Sequence, residues 1–559
     1  MKKWQILRAS EPGIRNPESE KIISILLGNR GVHTKKERES FLNPPNPWDL
    51  TAKDVGIDNS SLRKGIARIN KAIDAKESIV VYADYDADGI TAGAIMWETV
   101  HRLGGNIMPY IPHRVEEGYG LSKKGIDAVI KEYHPKLIIT VDHGITAAEK
   151  VDYAISKGID VVVTDHHVKP KDLPNCPIIH TTDLCGAGIS WFVAKELVAG
   201  CGMEVTDYEE LIALAAIGTI ADMVPLVGPN RSIAKFGLNV LNKNKHVGLD
   251  ALMKDAGLTK GELGTYDISH MLAPRLNAMG RLVHGMDALR LLCTKQEDKA
   301  MLLARKLGLT NKERQQMTVD TTVHARDLVK GMVKMKKLLF VSHDSYNQGI
   351  IGLVAGKLVE EFYRPAVVLS RGEFVSKASA RSIAGFNIIE AIRTCSDILV
   401  DAGGHPMAAG FTIETKYIGQ LQDRLEALAE KELPEEKLVR VLKIDTEISL
   451  ENVTEKLWKA IQDFAPFGFG NSEPVFSTSD VTVDDARLVG ADGKHLKLKI
   501  RSTINDKRST IDAIAFGMGA FYAKLRPDTP INVAYSIDMN VWNGSRRLQL
   551  KVKDIHFSS

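Results

Sequence analysis

Three aspartates stand at alternate positions after a short apolar run, in the stretch SIVVYADYDADGIT that begins at Ser78. Asp84, Asp86 and Asp88 would point to the same side of an extended chain, because residues two apart in a strand share a face. Two unit charges 4 Å apart repel by about 1 kcal/mol in water and by about 4 kcal/mol near a protein surface. Three carboxylates in a partly buried crevice therefore need a cation, or some of them must take up protons.

Similar groups close three further apolar runs: Asp142 with His143, Asp165 with His166 and His167, and Asp222. If the runs are neighbouring parallel strands, their ends meet at one rim. A set of at least four carboxylates and one or two imidazoles suits Mn²⁺ or Mg²⁺, and imidazole shifts the balance toward a transition metal. Two ions about 3.5–4 Å apart are the usual solution for phosphoryl hydrolysis.

Each of these residues also has an ordinary structural interpretation. An aspartate at a strand end most often belongs to a turn or a helix N-cap, and of two adjacent histidines one is often packed and the other solvated. The metal interpretation depends on several successive runs ending in the same way. The pattern D-x-D-x-D-G also suggests a calcium loop, but that loop needs Glu at its twelfth position. Counted from Asp84, the twelfth residue is Ile95, so we reject a calcium loop.

The elements that must position these residues are those of an α/β protein. From about 78 to 225, short β-branched runs alternate with helical segments, which predicts a parallel sheet. Ligand sites in such sheets lie beyond the carboxyl ends of the strands. A long helical region follows at about 297–330. There Thr310 with Glu313 fits a capping box, and Gly308 predicts a break between two helices. These helices would be a spacer between domains or an ordinary packed pair.

Two further domains are predicted downstream. A second α/β unit begins at Lys336 and ends near DAGGHPMAAGFTI, and a polar stretch at 431–440 resembles a linker. From about 440, short alternating strands predict a small β-barrel, with an OB-like fold as one candidate. In HLKLKIRS, a basic face alternates with an apolar one: Lys497, Lys499 and Arg501 against Leu496, Leu498 and Ile500.

The bulk composition limits the class of protein. A chain of 559 residues is expected to hold several domains, and a net charge of +3 gives no sign of nucleic acid by itself. The five cysteines are dispersed, which suits a reducing cytosol better than a disulfide framework. The N-terminus lacks the apolar core of a secretory signal, and no run reaches the length of a membrane span. We therefore expect a soluble, cytoplasmic protein.

The triplet Asp165-His166-His167, with DYDADG and IADMVPL, resembles the signature of the DHH phosphoesterase family, and within it the bacterial single-stranded-DNA-specific exonucleases. The stretches IPHRVEEGYGLS and APRLNAMGRL look like further motifs of those exonucleases. ASARSIAGFNI and GGHPMAAGF resemble their DHHA1 domain, and FAPFGFGNSEPVF with NVWNGSRRLQL their OB domain. The resemblance implies five segments: an N-terminal segment (1–50), a DHH domain (51–290), connecting helices (291–334), a DHHA1 domain (335–433) and an OB-fold domain (434–559).

The resemblance also implies the roles of individual residues. The metal ligands taking part in catalysis would be Asp86, Asp88, Asp142, His166 and Asp222, with Asp84 and His167 as ligands or their hydrogen-bond partners. His405 would contact the scissile phosphate, beside Gly403 and Gly404. The 5′ phosphate would be held by Arg114, Ser379 and Arg381, and the DNA path would be lined by Asn277 and Arg281. Tyr119 would be a further substrate-binding residue. The chain differs from the family in having Tyr82-Ala83 where His-Gly is usual, and that histidine serves as a metal ligand in some relatives.

The expected function is a 5′→3′ exonuclease that uses two ions of Mn²⁺ or Mg²⁺ to degrade single-stranded DNA to mononucleotides in DNA repair and recombination. The resemblance further implies a monomer that meets single-strand-binding protein and a RecQ-type helicase, and no membrane. Two alternatives stay open: a hydrolase of short oligoribonucleotides or small phosphoesters, and a catalytically weakened DNA-binding scaffold. The large extra domains argue against the first, and the retained ligands argue against the second.

Overall fold

The computed structural model describes residues 2–7, 19–114, 116–201, 208–504, 507–542 and 544–557. The chain forms two compact units. The barrel unit comprises residues 1–43, 433–467 and 471–559, and the α/β unit comprises residues 44–432 with 468–470.

The strands are β1 (Lys3–Ile6), β2 (Ser78–Ala83), β3 (Asn106–Tyr110), β4 (Leu137–Val141), β5 (Asp160–Asp165), β6 (Ile178–His180), β7 (Leu339–His343), β8 (Ala366–Ser370), β9 (Val375–Arg381), β10 (Leu399–His405), β11 (Ala408–Glu414), β12 (Val441–Ile444), β13 (Thr446–Glu447), β14 (Phe476–Val489), β15 (His495–Ile504), β16 (Lys507–Ala515), β17 (Pro530–Trp542) and β18 (Ser545–Phe557).

The α-helices are α1 (Ser19–Asn29), α2 (Lys35–Leu42), α3 (Asn59–Asp74), α4 (Ala87–Arg102), α5 (Lys123–Tyr133), α6 (Ala148–Ser156), α7 (Gly186–Ala199), α8 (Leu211–Ala221), α9 (Gly228–Lys243), α10 (Val247–Asp255), α11 (Thr265–Asp267), α12 (Ala273–Leu282), α13 (Met286–Cys293), α14 (Glu297–Lys330), α15 (Ile351–Phe362), α16 (Ile388–Arg393), α17 (Ile418–Glu432) and α18 (Glu455–Gln462). A π-helical turn, Ile268–Leu272, joins α11 to α12.

The first sheet of the α/β unit is parallel throughout and has the order β3-β2-β4-β5-β6. Beyond their first residues, the central strands β2, β4 and β5 are buried along their length. Ile79 and Val81 pack in one core with α4 and α7, and Val80 and Tyr82 pack in another with α5 and α6. Helices on both faces explain why these strands are continuous apolar runs. The predicted sheet is confirmed, and the carboxyl ends of the three strands lie side by side.

The long helical region is a single helix, α14, so the predicted break at Gly308 is wrong. A Cβ at Gly308 would overlap the carboxylate of Asp255, so the glycine lets α14 lie close to the end of α10. Thr310 is accordingly buried within the helix and does not cap a new one. The first half of α14 packs in the core that contains α4, and its last turns pack around β7 and α15. We call residues 44–296 the first lobe and residues 331–432 the second lobe of the α/β unit.

The second lobe contains a mixed sheet with the order β10-β11-β9-β8-β7. Only β7 and β8 are parallel, and the other pairs are antiparallel. The register places Arg381 opposite Ala408, and Ala408 opposite His405. Directly paired residues share a face of a sheet. Arg381 and His405 therefore lie in one row on the same face.

The barrel unit contains the sheet β13-β14-β15-β16-β18-β17, which the pairing of β14 with β17 closes into an OB-like barrel. Leu496, Leu498 and Ile500 are buried in β15, which confirms the alternation predicted for this strand. The N-terminal residues belong to this unit, because β1 pairs with β12 and α1 packs in the barrel core.

Two expectations about the chain as a whole can be checked directly. All five cysteines are free. Within the described ranges, no helix combines the length and the apolar character needed to cross a bilayer.

Candidate metal centre and anion cavity

The loop after β2 is organised by the capping of α4. Asp86 is the N-cap, and its Oδ1 accepts hydrogen bonds of 3.0 Å from the N–H groups of Asp88 and Gly89. The N–H of Ala87 donates instead to Oδ1 of Asn277 at 2.7 Å, and the regular helical bonds begin with the N–H of Ile90, which donates to the Asp86 carbonyl. The N–H groups of a first helical turn have no partners within the helix. Here each has one, and Asp86 keeps its Oδ2 free of these bonds.

Two carboxylates of the crevice contain buried oxygens without a partner. Oδ1 of Asp84 and Oδ1 of Asp142 make no hydrogen bond within the described part of the chain. Nε2 of His166 lies 3.1 Å from the second of these oxygens. Burial, then repulsion from neighbouring carboxylates, raises the pKa of both Asp84 and Asp142 well above the ordinary value. A bound cation would favour the charged form of both carboxylates and so oppose both shifts.

Asp88 and Asp222 bring two more carboxylates to His166. Nε2 of His166 lies 3.7 Å from Oδ2 of Asp222 and 3.8 Å from Oδ2 of Asp88. Asp88 also anchors α7, because its two oxygens accept the N–H groups of Gly186 and Ala187 at 2.7 and 2.8 Å. Asp222 closes α8, and burial with repulsion from Asp88 raises its pKa to about 9.

His167 is oriented by Asp165. Nδ1 of His167 lies 2.7 Å from Oδ1 of Asp165, and Nε2 lies 3.3 Å from the hydroxyl of Tyr119. Burial alone would raise the pKa of Asp165, but this bond and backbone N–H groups outweigh it and hold that pKa below its ordinary value. A carboxylate on Nδ1 leaves the lone pair on Nε2, the tautomer that metal-bound histidines commonly adopt.

These residues fit a divalent metal. Three sets each bring ligand atoms within 4.8 Å of one another: Asp142 with His166 and His167, Asp88 with His166 and Asp222, and Asp84 with Asp86 and Asp142. Asp142 belongs to two of these sets and so does His166, so the three sets form one continuous group of ligand atoms. Carboxylate oxygens with imidazole suit Mn²⁺, and the unpartnered buried oxygens supply the negative charge that such an ion requires.

A cationic cavity of about 780 Å³ lies between the two lobes of the α/β unit. Its walls include Arg114 and Arg281 from the first lobe and Ser379 and Arg381 from the second. Burial, then repulsion from Arg114 and other arginines, lowers the pKa of Arg281 to about 10. Burial and Arg114 lower the pKa of Arg381 as well. Guanidinium groups this close favour an anion with several oxygens, such as a phosphate.

The start of α15 adds backbone donors to this cavity. Gly352 lines the cavity, and a Cβ there would lie 2.9 Å from Oγ of Ser379 and 3.1 Å from Nη2 of Arg381. The N-cap, Ile350, provides no side-chain cap. The N-terminus of a helix has free N–H groups and a partial positive charge, and both favour an anion. Glycine at this position therefore lets a helix end and two anion-binding side chains converge.

The remaining predicted residues are placed as follows. Tyr119 lies at the border of the two regions, since it lines the cavity and contacts His167. Gly403, Gly404 and His405 lie in the exposed edge strand β10. Gly404 has a φ of 147°, and a Cβ there would lie 2.6 Å from the Cα of Ala409. Among the described residues, no hydrogen bond or ion pair joins His405 to the acidic crevice.

Asn277 and Tyr82 lie outside the sites that their sequence motifs suggest. Asn277 does not line the cavity, and its side chain instead caps α4. Tyr82 lies beneath α5, with its ring 4.9 Å from that of Tyr110. A Cβ at Gly125 would overlap its hydroxyl. The residue at the usual histidine position thus belongs to the core on the α5 side.

The sequence did not single out two residues that the structure brings to the site, and it named a third, Asp165, without its role. Tyr85 lines the cavity and stacks under Arg114, 4.8 Å from its guanidinium carbon. Asp165 orients His167, and Arg314 on α14 lies close enough to Arg281 to lower its pKa. Tyr85 stands inside DYDADG, where the aspartates on both sides of it give the stronger chemical signal. Arg314 gives no local signal, since a lysine or arginine on a long helix is usually solvated.

Three family models match the chain: the DHH family N-terminal domain over residues 78–219, the DHHA1 domain over 314–431 and the RecJ OB domain over 444–554. Fold and site thus define a DHH phosphoesterase with a DHHA1 lobe. The single-stranded-DNA-specific exonuclease RecJ of Bacillus subtilis is 35% identical over 568 residues, which cover 99% of this chain and 70% of that protein. RecJ of Escherichia coli is 29% identical, with 95% of each chain covered. The chain belongs to the RecJ family of single-stranded-DNA-specific exonucleases.

A solved structure agrees over the full length. The crystal structure of RecJ in complex with Mn²⁺ from Thermus thermophilus has a TM-score of 0.83 and 27% identity. The match covers 100% of this chain and 80% of that one. A second crystal structure of the same protein, with Mg²⁺, has a TM-score of 0.78.

Proposed function

We propose that this protein hydrolyses single-stranded DNA from its 5′ end and releases 5′-mononucleotides, using Mn²⁺ or Mg²⁺. The observation that carries the proposal is the pairing of two sites in one unit. A buried crevice gathers carboxylates whose charge a cation would offset, and a cavity bordering it through Tyr119 gathers arginines whose charge an anion would offset. A metal-bound phosphodiester whose 5′ phosphate occupies the cavity would satisfy both.

The ligands would be Asp84, Asp86, Asp142, His166 and Asp222. Bound metal ions would lower the pKa of a coordinated water and neutralise charge on the phosphate. Asp88 would hold the crevice against α7 and complete the ligand set. His167, fixed by Asp165, would keep its Nε2 lone pair available to the same site.

The cavity would select the end of the strand that is cleaved. Arg114, Ser379, Arg381 and the N-terminus of α15 would bind the 5′ phosphate, and Arg281 would add charge beside them. His405 shares a sheet face with Arg381 and would contact the scissile phosphate. Water would attack phosphorus and the bond from phosphorus to the 3′ oxygen would break. The shortened strand then carries a new 5′ phosphate, so the next cycle meets the same end group.

The barrel unit would bind the strand beyond the cleaved nucleotide. Lys497 and Lys499 alternate with buried leucines in β15, and OB folds combine such basic faces with stacking aromatic residues. We further propose, from the family resemblance alone, a cytoplasmic monomer that acts beside single-strand-binding protein and a RecQ-type helicase. Analytical ultracentrifugation tests the monomeric state, and pull-down with the purified single-strand-binding protein and helicase tests the two interactions.

One assay tests the proposed activity. Single-stranded DNA labelled at the 5′ or at the 3′ end, duplex DNA and single-stranded RNA are each incubated with Mn²⁺, Mg²⁺ or EDTA. We expect labelled mononucleotide at the earliest times from the 5′-labelled single strand only, and no product in EDTA. Early release of the 3′ label would show that the strand is degraded from its 3′ end. Faster release from RNA would favour an oligoribonuclease, and binding without cleavage would favour a scaffold.

A further inference from the structure

Helix α12 lies directly against the loop that carries Asp86. A Cβ at Gly280 would overlap the carbonyl oxygen of Tyr85, so this glycine allows the helix to touch the loop backbone. The π-helical turn Ile268–Leu272 immediately precedes α12. Such turns change the phase of a helix and are frequent at functional sites. Helix α12 thus combines a close contact with the acidic loop, at Gly280, and an irregular turn before its first residue.

The same, C-terminal end of α12 also contacts the second lobe. Nη1 of Arg281 donates to the carbonyl oxygen of Gly349 at 3.1 Å. A Cβ at Gly349 would in turn overlap the carbonyl oxygen of Arg281. One short helix thus contacts both the acidic loop and the loop that leads into α15.

Asn277 provides a polar contact from α12 to the start of α4. Asp86 uses Oδ1 for two N–H groups, so it cannot also reach the N–H of Ala87 without turning its carboxylate. Ala87 is only 1% exposed, so water has little access to that N–H. Oδ1 of Asn277 accepts it at 2.7 Å. Without Asn277, the Ala87 N–H would compete for Asp86.

We propose that Asn277 is a positioning residue for the metal centre, and that it acts by keeping the Asp86 carboxylate turned toward the other ligands. This role rests on the proposed metal-dependent function and replaces the expectation that Asn277 lines the DNA path. Partners that orient a metal ligand typically change metal affinity by about 10–100-fold. Loss of Asn277 should therefore weaken the binding of metal and have little effect on the binding of DNA.

The test measures Mn²⁺ binding without DNA, by isothermal titration calorimetry, and then KM and kcat on single-stranded DNA at saturating Mn²⁺. Asn277→Ala is expected to raise the Kd for Mn²⁺ by about 10-fold or more while KM for DNA changes less than about 3-fold. Asn277→Asp keeps the acceptor and is expected to restore much of the affinity. Arg275→Ala, which removes an ion pair between α12 and Asp255, is the matched control and should leave the Kd unchanged.

A second variant tests the mechanism itself. In the Asn277→Ala background, Ala87→Pro removes the competing N–H, and proline suits the first position of a helix. The double variant is expected to bind Mn²⁺ more tightly than Asn277→Ala alone. An unchanged Mn²⁺ Kd with a raised KM in Asn277→Ala, or no recovery in either the double variant or Asn277→Asp, would overturn the role. If the wild-type protein itself binds no Mn²⁺, the proposed function fails instead.

Discussion

The acidic crevice and the arginine cavity both bring like charges together in a buried place, negative charges in the crevice and positive charges in the cavity. In the crevice, burial and neighbouring carboxylates raise the pKa of Asp142 and Asp222. In the cavity, burial and neighbouring arginines lower the pKa of Arg281 and Arg381. Each region therefore destabilises its own charges, and a strand of DNA with divalent ions would offset both sets of charges. This complementarity argues for a nuclease more strongly than either region would alone.

The two regions differ in how they are built. The crevice lies at the ends of buried parallel strands, and backbone N–H groups hold two of its carboxylates, Asp86 and Asp88. The cavity is formed by two lobes, a helix N-terminus and a sheet face. A loss in the crevice removes a ligand that no neighbour can replace. A loss in the cavity leaves other donors in place, so we expect a graded effect.

The largest effect is expected from Asp142→Ala, because Asp142 belongs to two of the three ligand sets. Metal catalysis supplies several kcal/mol, so its loss should lower kcat by roughly 10³-fold or more. Quenched-flow measurement of nucleotide release checks this, with Mn²⁺ titration beside it. The control is Asp127→Ala, which removes an exposed carboxylate of α5 that accepts a hydrogen bond from Tyr153; this variant should cleave normally. Cleavage by Asp142→Ala at near-normal rates would show that Asp142 is not a metal ligand.

A smaller, selective effect is expected from Arg381→Ala. A hydrogen bond to a charged group contributes about 1.5–3 kcal/mol, so KM for 5′-phosphorylated single-stranded DNA should rise roughly 10–100-fold. DNA with a 5′ hydroxyl should show little change, because the lost contact is to the phosphate. Arg424→Ala, which removes a surface ion pair with Asp397 in the same lobe, is the control. An equal loss on both substrates would show that Arg381 does not recognise the 5′ phosphate.

The crevice should also control how stability depends on pH when metal is absent. The pKa of Asp222 is raised to about 9 from an unfolded value of about 3.9. The folded protein then holds a proton that the unfolded chain has lost, so stability is highest below pH 4 with respect to this group and falls as pH rises toward 9. Thermal unfolding in EDTA should show this decline. Added Mn²⁺ should flatten it, and the same slope with and without Mn²⁺ would contradict the assignment.

The sequence predicts the crevice well because its signals are local. Continuous β-branched runs identify β2, β4 and β5, and the geometry of a parallel sheet then brings Asp84 and Asp142 together. It does not predict contacts between residues far apart in the chain. Gly308 is a typical helix breaker by sequence, yet it is needed for the close approach of Asp255.

The same limit applies to the roles of single residues within motifs. Asn277 bonds a backbone N–H that is 190 positions away, and no spacing in the sequence encodes this. The partition of Asp86 between one capping oxygen and one free oxygen is equally invisible without coordinates. The N-terminal strand β1 pairs with β12, which lies in the last third of the chain, so its place in the barrel unit also had to come from the structure.

The smallest effect is expected from Tyr82→Phe, which tests whether Tyr82 belongs to the metal centre. Its position in the sequence suggests a ligand, but its hydroxyl is buried on the α5 side and has no hydrogen-bond partner among the described residues. Tyr82→Phe should therefore leave Mn²⁺ affinity and the rate of cleavage unchanged. Removing an unsatisfied buried hydroxyl should keep the free energy of unfolding constant or raise it by about 1 kcal/mol. Urea unfolding and Mn²⁺ titration measure the two quantities. A several-fold loss of Mn²⁺ affinity would mean that the hydroxyl acts on the crevice after all, and the boundary between the metal centre and the α5 core would have to move.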